Sequence, residues 1–306
     1  MKQAPSSIFM VRPDHFGYNA ETAESNAFQS GGVEDNYDQI RRAAIAQFDQ
    51  FVDKLQLHEI EVLTFKSPKY KKLPDAVFPN NWVTFHEDGR IVIYPMLAKN
   101  RRLERRLDVI DQIGDKFKIK DIIDLSAEEN NSIFLEGSGS IVFDHVNMMA
   151  YANQSPRTNQ SLFEKLCLLL GYKRVFFKAA DEKGMDIFHT NVMMNIGNGY
   201  AVICKESIDK HDQDRVINSL QSGGLEIVEI SYRQMKNFAG NMIQLQNKKG
   251  KDYLVMSDSA FNSLRPKQKD TLSKYAAFIH VDISTIESIG GGSARCMIAG
   301  IHLSKK

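Results

Sequence analysis

Short apolar runs alternate with glycine-containing turns and amphipathic helical segments along most of the chain. Four stretches follow one plan, in which a first strand, a turn, a second strand, a helix and a third strand succeed one another. Glycine in the turn supplies the positive φ that a tight hairpin needs, so the first two strands of each stretch are predicted to pair as a hairpin. The pattern therefore predicts an α/β protein made of strand–strand–helix–strand repeats.

The predicted elements recur at similar intervals. The four repeats comprise strands at 81–85 and 91–94, a helix at 101–117 and a strand at 121–125; strands at 134–136 and 140–143, a helix at 160–170 and a strand at 174–177; strands at 190–196 and 200–204, a helix at 212–221 and a strand at 226–230; and strands at 242–246 and 252–256, a helix at 267–275 and a strand at 277–281. A fifth copy needs both ends of the chain, with strands at 8–11 and 60–63, a helix at 36–55 and a first strand at 296–303. We therefore predict one domain over residues 1–306, a five-bladed α/β propeller closed by the N- and C-terminal strands.

Composition and charge narrow the class of ligand. The chain has 306 residues, of which 42% are hydrophobic and 25% charged, as in ordinary globular proteins. The net charge is +1, so the sequence shows no electrostatic footprint for nucleic acid or for an anionic membrane. We therefore expect a small, roughly neutral ligand.

Targeting signals and cysteine usage bear on location and cofactors. Residues 1–7 lack the apolar run of a signal peptide. No stretch is as long as the run of about eighteen apolar residues that a membrane span needs. We therefore expect a cytoplasmic protein. The three cysteines, Cys167, Cys204 and Cys296, neither pair evenly nor show metal-ligand spacing. We expect no disulfide, no structural zinc and no cofactor, and the sequence leaves a homo-oligomer open.

One polar residue stands near the start of each predicted first strand. These residues lie 52 to 55 positions apart and are Asn81, Glu136, His189, Asn241 and Cys296. Equivalent positions in a closed ring face one axis, so a nucleophilic thiol, an imidazole acid/base, a carboxylate and amides would meet there. Any one of the five alone would be read as a solvated residue at a strand end, and Cys296 alone, after three glycines, as an inert thiol.

Several motifs in this order resemble the guanidine-modifying superfamily, which includes arginine deiminase, dimethylarginine dimethylaminohydrolase and the amidinotransferases and whose fold is the five-bladed pentein. The residues that carry the resemblance are Glu136-Gly137, His189-Thr190-Asn191, Ser155-Pro156-Arg157-Thr158-Asn159, Asn100-Arg101-Arg102-Leu103-Glu104, Ala239-Gly240-Asn241 and Gly292 to Cys296. Each motif alone is weak. Together they cover nearly the whole chain and indicate membership of this superfamily.

The resemblance implies a covalent mechanism without a metal. Cys296 would attack the planar carbon of a guanidino or ureido group, and His189 would protonate the leaving amine and then activate water. Glu136 would accept hydrogen bonds from substrate nitrogens and favour a charged imidazole. Arg157, and less clearly Arg101, would pair with the α-carboxylate of an amino-acid substrate, although a solvated helix-face charge is the alternative for Arg101.

Two departures from the family pattern concern the substrate. Arginine-processing members carry aspartates at the positions of Asn81 and Asn191, and often an aspartate at the position of Gly139. An asparagine can donate to a carbonyl group and accept from an N–H group, as a neutral ureido group requires. Together with the stretch from Phe78 to Trp82, which resembles a citrulline-utilising branch, this favours citrulline hydrolysis to ornithine, ammonia and carbon dioxide.

The sequence is also compatible with other functions. A cationic substrate would itself favour the thiolate of Cys296, which keeps dimethylarginine or arginine hydrolysis as the runner-up. Transfer of the amidino group to an amine, as in an amidinotransferase, is a second alternative, and a binding module with an inactive site is a third. Agmatine fits less well, because Arg157 would lack a carboxylate partner.

The remaining candidate features have ordinary explanations. Cys167 and Cys204 stand in apolar segments and are expected to be packing residues. Residues 12–16 could form a rim or lid over the site, or simply leave the first strand. Residues 16–32 could cover the pocket as a mobile segment, although a plain surface loop is the simpler interpretation.

Overall fold

A computed structural model describes residues 2–23, 26, 28, 29, 36–68 and 72–306. The strands are β1 (Ser7–Arg12), β2 (Glu61–Lys66), β3 (Val83–Phe85), β4 (Arg90–Ile93), β5 (Asp121–Asp124), β6 (Val142–Asp144), β7 (Met149–Asn153), β8 (Lys173–Phe177), β9 (Met194–Gly197), β10 (Tyr200–Ile203), β11 (Glu226–Glu229), β12 (Ile243–Gln246), β13 (Asp252–Ser257), β14 (Ala277–Val281) and β15 (Ala299–Ile301). The α-helices are α1 (Ala20–Ala23), α2 (Tyr37–Leu57), α3 (Leu107–Gly114), α4 (Gly137–Ser140), α5 (Gln160–Leu170), α6 (Thr190–Met193), α7 (Lys210–Ser222), α8 (Tyr232–Lys236), α9 (Asp258–Ser263), α10 (Pro266–Ser273) and α11 (Ser284–Gly290). Short 3₁₀ helices cover Pro79–Asn81, Asn100–Glu104, Ser126–Asn131 and Lys205–Ser207.

The strands form five units of identical topology. In each unit the first strand pairs antiparallel with the second, and the second pairs parallel with the third across a helical connection. The units are β3–β4–β5, β6–β7–β8, β9–β10–β11, β12–β13–β14 and β15–β1–β2. This confirms the α/β class and the predicted strand–strand–helix–strand plan.

The unit assembled from both chain ends forms as expected. Strand β1 pairs antiparallel with β15, with Phe9 opposite Ala299, and parallel with β2, with Phe9 opposite Leu63. Strand β15 also meets β3 in parallel at Ile301 and Phe85, which joins this unit and the next into one six-stranded sheet. The two ends of the chain are therefore held in one sheet.

The second repeat was predicted in the wrong register. Residues 137–140 form the short helix α4, so that β6 is the first strand, and the second strand is β7, which the sequence pattern missed. Gly137 has φ +48°, and a Cβ there would lie 2.3 Å from the carbonyl oxygen of Asn80. The glycine therefore permits a close backbone approach and not a hairpin turn. The true turn contains no glycine and places Met148 at φ 54° instead.

Other predicted first strands also begin too early, because turns occupy the places where the strands were expected to start. Residues 79–81 and 190–193 are helical turns, and Cys296 lies in a turn three residues before β15, which is shorter than the predicted strand at 296–303. The predicted helix at 101–117 is interrupted, because residues 105 and 106 are extended between the 3₁₀ turn and α3. Helix α9 was not predicted; the Ser257 side chain caps it by accepting from the Ala260 amide.

The helices pack their apolar faces against the sheets. Helix α2 buries Ala44, Phe48, Phe51 and Leu55, whose spacing places them on one face. These residues share a core with strands of the fourth and fifth units. Removing a ring such as that of Phe48 would cost about 3–5 kcal/mol. None of the helices in the described ranges has both the length and the apolar character needed to cross a membrane.

Candidate active site

Short helical turns immediately before the first strands position the polar side chains. Glu136 is the residue before α4, His189 is the residue before α6, and Asn81 ends a 3₁₀ turn. Asn241 stands two residues before β12. The buried first strands hold these turns rigidly, which fixes where the side chains point.

Glu136 is the centre of a buried charged cluster. Its Oε2 lies 2.8 Å from Nε2 of His189 and 3.4 Å from Nη1 of Arg157, and its Oε1 accepts from the Leu97 amide at 3.0 Å. Burial alone would raise the pKa of this carboxyl group, but Arg157, His189 and Arg101 outweigh burial and hold the pKa well below its usual range. Glu136 is therefore ionised.

His189 is a neutral imidazole in this environment. Burial lowers its pKa to about 4, and the positive charges of Arg157 and Arg101 oppose the raising effect of Glu136. Because Glu136 only accepts, Nε2 carries the proton, and Nδ1 is left with its lone pair. Glu136 does raise the pKa of this imidazole, as expected, but burial and the two arginines lower it further.

The Cys296 thiol is held by amides. Its sulfur lies 3.2 Å from Nδ2 of Asn241 and 3.8 Å from Nδ2 of Asn191, and its backbone N–H donates to Oδ1 of Asn241 at 3.4 Å. The sulfur is nearly buried, with 5% of the residue exposed. N–H groups that point at a sulfur atom stabilise its negative charge.

The two asparagines that replace aspartates offer opposite groups. Oδ1 of Asn81 accepts from Nη1 of Arg101 at 2.9 Å, and Nδ2 of Asn81 has no hydrogen-bond partner among the described residues. Asn191 turns Nδ2 toward the sulfur of Cys296, and its buried Oδ1 lacks a partner in the described part of the chain. Asn81 thus has an unused donor and Asn191 an unused acceptor.

Both candidate arginines are buried inside the cluster. Arg101 binds Glu104 through two nitrogens, at 3.0 and 2.9 Å, and also donates to the carbonyl of Phe78. It is 2% exposed, so a solvated helix-face position is excluded. Arg157 donates to the Thr22 carbonyl at 3.2 Å and stacks on the ring of Phe188 at 5.2 Å.

One small cavity, here called the thiol pocket, brings most of these residues together. It has about 290 Å³ of empty space including its mouth. Its lining residues are Thr22, Asn26, Asp75, Phe78, Asn81, Arg101, Arg157, Phe188, His189, Gly290, Gly291, Gly292 and Cys296. The other three predicted residues lie outside this lining. Glu136 contacts His189, and Asn191 and Asn241 contact Cys296. The size suits a ligand as small as a free amino acid.

Asp75 lines the thiol pocket but was not identified from the sequence. Its Oδ2 accepts from Nδ2 of Asn19 at 2.7 Å, while its buried Oδ1 has no partner within the described ranges. Burial raises its pKa, and Arg101, 3.8 Å away, acts in the opposite direction. Nothing in the local pattern distinguishes Asp75 from a loop aspartate, so only the fold reveals it.

Gly139, where the family often has aspartate, is required by its neighbours. A Cβ at this position would lie 2.3 Å from Nδ2 of Asn81 and 2.9 Å from Nδ1 of His189. Both side chains therefore close on the same point of the backbone. A side chain at position 139 would displace them.

The glycine run before Cys296 accommodates protein groups. Added Cβ atoms at Gly290 and Gly292 would lie 2.9 and 2.7 Å from the ring of Phe78. Nδ2 of Asn26 donates to the carbonyl of Gly290 at 3.3 Å. Part of the predicted cover at 16–32 therefore contacts the pocket wall, whereas residues 24, 25, 27 and 30–32 of it lie outside the described residues. Residues 12–16 include no member of the pocket lining.

The other two thiols belong to the core. Cys167 lies on the buried face of α5, and Cys204 follows β10. Burial raises their pKa values to about 12 and about 11. These values describe unreactive packing residues at neutral pH.

Five units of one topology and a shared pocket with a thiol, an imidazole and a carboxylate define a member of the pentein superfamily of amidino-hydrolases. Residues 12–303 match the family described as N,N dimethylarginine dimethylhydrolase, eukaryotic, and the chain belongs to this family. It is therefore an enzyme, a hydrolase of the dimethylarginine dimethylaminohydrolase type.

Solved structures share the fold at low sequence identity. The N-terminal domain of ArgZ, an arginine dihydrolase from the ornithine-ammonia cycle in Cyanobacteria, is 18% identical with a TM-score of 0.74, over 95% of this chain and 96% of that chain. AgrE in complex with L-arginine is 17% identical with a TM-score of 0.75, over 95% of this chain and 39% of that chain. The dimethylarginine dimethylaminohydrolase of Pseudomonas aeruginosa in complex with citrulline is 15% identical with a TM-score of 0.64, over 97% and 99%. No curated protein sequence matches this chain significantly.

Proposed function

We propose that this enzyme hydrolyses the ureido group of citrulline to ornithine, ammonia and carbon dioxide through a thiol intermediate on Cys296. The observation that carries the proposal is the orientation of Asn81. Arginine has only donors, so the atom of Asn81 that faces Arg101 at 2.9 Å must be the amide oxygen. The amide nitrogen of Asn81, a residue of the pocket lining, has no partner among the described residues, and it can only donate.

A donor at this point suits a ureido carbonyl and opposes a guanidinium. The carbonyl oxygen of citrulline accepts from Nδ2 of Asn81, whereas every nitrogen of a guanidinium would present N–H to N–H. A buried donor or acceptor left unpaired costs about 1–3 kcal/mol, which is enough to decide between two substrates of equal shape.

The thiol and the imidazole carry out the bond changes. Nδ1 of His189 takes the proton of the Cys296 thiol as sulfur attacks the ureido carbon, with Asn241 donating to the sulfur. The same proton passes to the terminal nitrogen, which leaves as ammonia and gives an S-carbamoyl enzyme. His189 then activates a water molecule that cleaves the C–S bond, and the released carbamate breaks down to ornithine and carbon dioxide.

Glu136 and the charged residues around the pocket orient the participants. Glu136 holds Nε2–H of His189, which keeps the lone pair on Nδ1. The buried Oδ1 of Asp75 is placed to accept from the α-ammonium group of an amino acid, and Arg157 and Arg101 are assigned to its α-carboxylate. An ω-ureido amino acid would thereby be held at both ends.

We further propose that the five units close into a propeller ring that forms one domain over residues 1–306. The support is a second cavity, here called the five-strand cavity, which is lined by residues of the first strands β3, β6, β9, β12 and β15. Strands that all face one cavity surround a common axis. The pairing of β15 with β1 supplies the closing contact.

A guanidino substrate is the second candidate. The family description names N,N dimethylarginine, and the neighbouring ArgZ is an arginine dihydrolase. Glu136 and Asp75 provide two carboxylates near the pocket that a cation would require. Agmatine stays less suitable, because it has no carboxylate for Arg157.

A substrate panel tests the proposal. The enzyme is incubated with citrulline, arginine, asymmetric dimethylarginine and agmatine, with and without amine acceptors, and ornithine, ammonia, citrulline and dimethylamine are quantified. We expect ornithine and ammonia from citrulline, with no dependence on an acceptor. Cys296→Ala should lose at least about 10³-fold in turnover, while the packing variant Cys204→Ala keeps it. Preference for a guanidino compound, or turnover that survives Cys296→Ala, would overturn the assignment.

A further inference from the structure

The five-strand cavity is a second polar chamber, separate from the thiol pocket. It has about 720 Å³ of empty space including its mouth. Arg295, the neighbour of Cys296 in sequence, extends into its lining, together with His86, His145 and His302. None of the described residues that line it is an aspartate or glutamate.

Arg295, which is partly buried, has no acidic partner among the described residues, unlike the fully buried Arg101 and Arg157. Arg101 binds Glu104, and Arg157 binds Glu136, whereas the described ion pairs include none for Arg295. Its Nη1 donates to the Ile298 carbonyl at 2.9 Å. Burial lowers the pKa of Arg295 to about 10, and the opposing effect comes from Cys296 alone. A guanidinium without a counter-ion in such a chamber is costly.

The cavity lining holds neutral donors as well as two buried acceptors, Oδ1 of Asn191 and of Asn195, that have no partner among the described residues. Oε1 of Gln244 accepts from the Asn198 amide at 2.8 Å. The buried Nε2 of Gln244 has no partner in the part of the chain that the structure describes. The rings of His145 and His302 lie 4.2 Å apart. Nδ1 of His145 is bound to the hydroxyl of Tyr172, so Nε2 is its remaining nitrogen. Guanidinium, amide and imidazole groups are the donors that coordinate small anions.

The rest of the lining selects against strongly hydrated ions. Apolar side chains of the five first strands make up much of the wall, among them Val83, Phe85, Phe143, Met194 and Ile196. The single positive charge of Arg295 balances the charge of one monovalent anion. A dianion would bring a second charge with no partner, because burial holds the pKa of His86 at about 4 and that of His302 at about 3.

We propose that the five-strand cavity binds one small monovalent anion, such as a halide or bicarbonate, between Arg295 and the donors of Gln244, His145 and His302. The anion supplies the missing counter-charge for Arg295. Its binding does not depend on the identity of the substrate, so this proposal and the proposed function fail independently.

Bromide is the probe. The intact protein is melted in sodium bromide against sodium gluconate at constant ionic strength, since gluconate is too large and hydrated for the chamber. We expect a saturable rise in Tm of about 3 °C once bromide exceeds its Kd tenfold, and none with sulfate. Chloride, nitrate and bicarbonate, tested in the same way, identify the preferred anion. A sulfate response equal to that of bromide would refute a monovalent site.

Variants locate the site. Arg295→Met and, separately, Gln244→Leu should abolish or weaken the bromide response at least tenfold, whereas Arg42→Met on the exposed side of α2 should keep it. If Arg295→Met does not fold, the bromide response of Gln244→Leu tests the location of the site. Crystals soaked in bromide should show an anomalous peak within 3.5 Å of the Arg295 guanidinium. A full response in both cavity variants, or bromide bound only at the surface, would overturn the proposal.

Discussion

At the residue scale, a single contact decides which atom of Asn81 stays available for a ligand. The Arg101 guanidinium holds Oδ1 of Asn81 and is itself anchored by Glu104. The direction of this hydrogen bond cannot be reversed, because arginine does not accept. In the proposed reaction, the choice of substrate would therefore depend on a residue twenty positions away from Asn81.

Changing the hydrogen-bonding character of Asn81 should change the substrate. In Asn81→Asp both oxygens accept, so the carbonyl of citrulline loses its donor while a guanidinium gains an acceptor. We expect kcat/KM for citrulline to fall about 10- to 100-fold, and the ratio of arginine to citrulline turnover to rise. Asn81→Ala is the control and should lower both activities without raising that ratio. An unchanged ratio in Asn81→Asp would contradict the orientation argument.

The three thiols should differ sharply in reactivity in the folded protein. Cys296 lines the thiol pocket, whereas burial raises the pKa values of Cys167 and Cys204 to about 12 and 11. Iodoacetamide at pH 7.5 should therefore label Cys296 alone, and all three after unfolding in urea. Peptide mass spectrometry measures the labelling. Comparable labelling of Cys204 in the native state would show that this thiol is open to solvent and would contradict its place in the core.

At the element scale, the site depends on short helical turns that precede the first strands. The sequence located Glu136, His189 and Asn81 at these places but predicted strands there, because a four-residue turn has no apolar period to detect. The length and position of α5 matched the expectation at 160–170, since Asn159 caps its start and Gly171 ends it at φ 79°. Elements with local caps were predictable, and turns shaped by distant backbone were not.

Helix α4 provides an element-scale test at Gly139. The variant Gly139→Ala adds a Cβ 2.3 Å from Nδ2 of Asn81 and forces the Asn81 and His189 side chains apart. A displacement of about 1 Å should lower kcat/KM about 100-fold while the protein still folds. Gly114→Ala, at the end of α3 and outside the pocket lining, is the matched control and should retain activity. Circular dichroism checks the fold, and full activity of Gly139→Ala would count against the described packing.

At the scale of the whole molecule, the convergence of first strands removes several histidines from water. His86 and His189 are buried and His302 is partly buried, and burial lowers their pKa values to about 4, 4 and 3. The two chambers that these residues line, the thiol pocket and the five-strand cavity, share the Asn191 and Cys296 region between them. Burial of neutral imidazole makes the fold sensitive to acid.

The free energy of unfolding should fall as the pH drops from 7 to 5. Between pH 6.5 and 4 the unfolded chain binds protons that the folded histidines do not, so stability declines with acidification by about 2 kcal/mol per buried histidine at pH 5. Glu104 acts in the opposite direction, because burial raises its pKa to about 7, so that the folded protein binds a proton there over this range and the loss shrinks by about one histidine's share. Glu136 contributes little, because a lowered carboxyl pKa affects stability mainly below about pH 4.5.

Urea titrations at pH 7 and 5, in buffers without halide, measure this effect. His302→Gln should recover about 2 kcal/mol of the loss, while His211→Gln at the exposed start of α7 should recover none. Equal free energies at the two pH values in the unmodified protein would refute the prediction.

By itself, the sequence determined the repeat plan, the pairing of the two chain ends, the spacing of one polar residue per unit and the superfamily. These follow from local periodicity and from motifs that lie along the chain. The tertiary structure alone decided that Asn81 offers a donor, that His189 is neutral, that Asp75 lines the pocket and that Arg295 has no counter-charge within the described ranges. Each of these properties depends on burial and on contacts between distant segments, which no local pattern specifies.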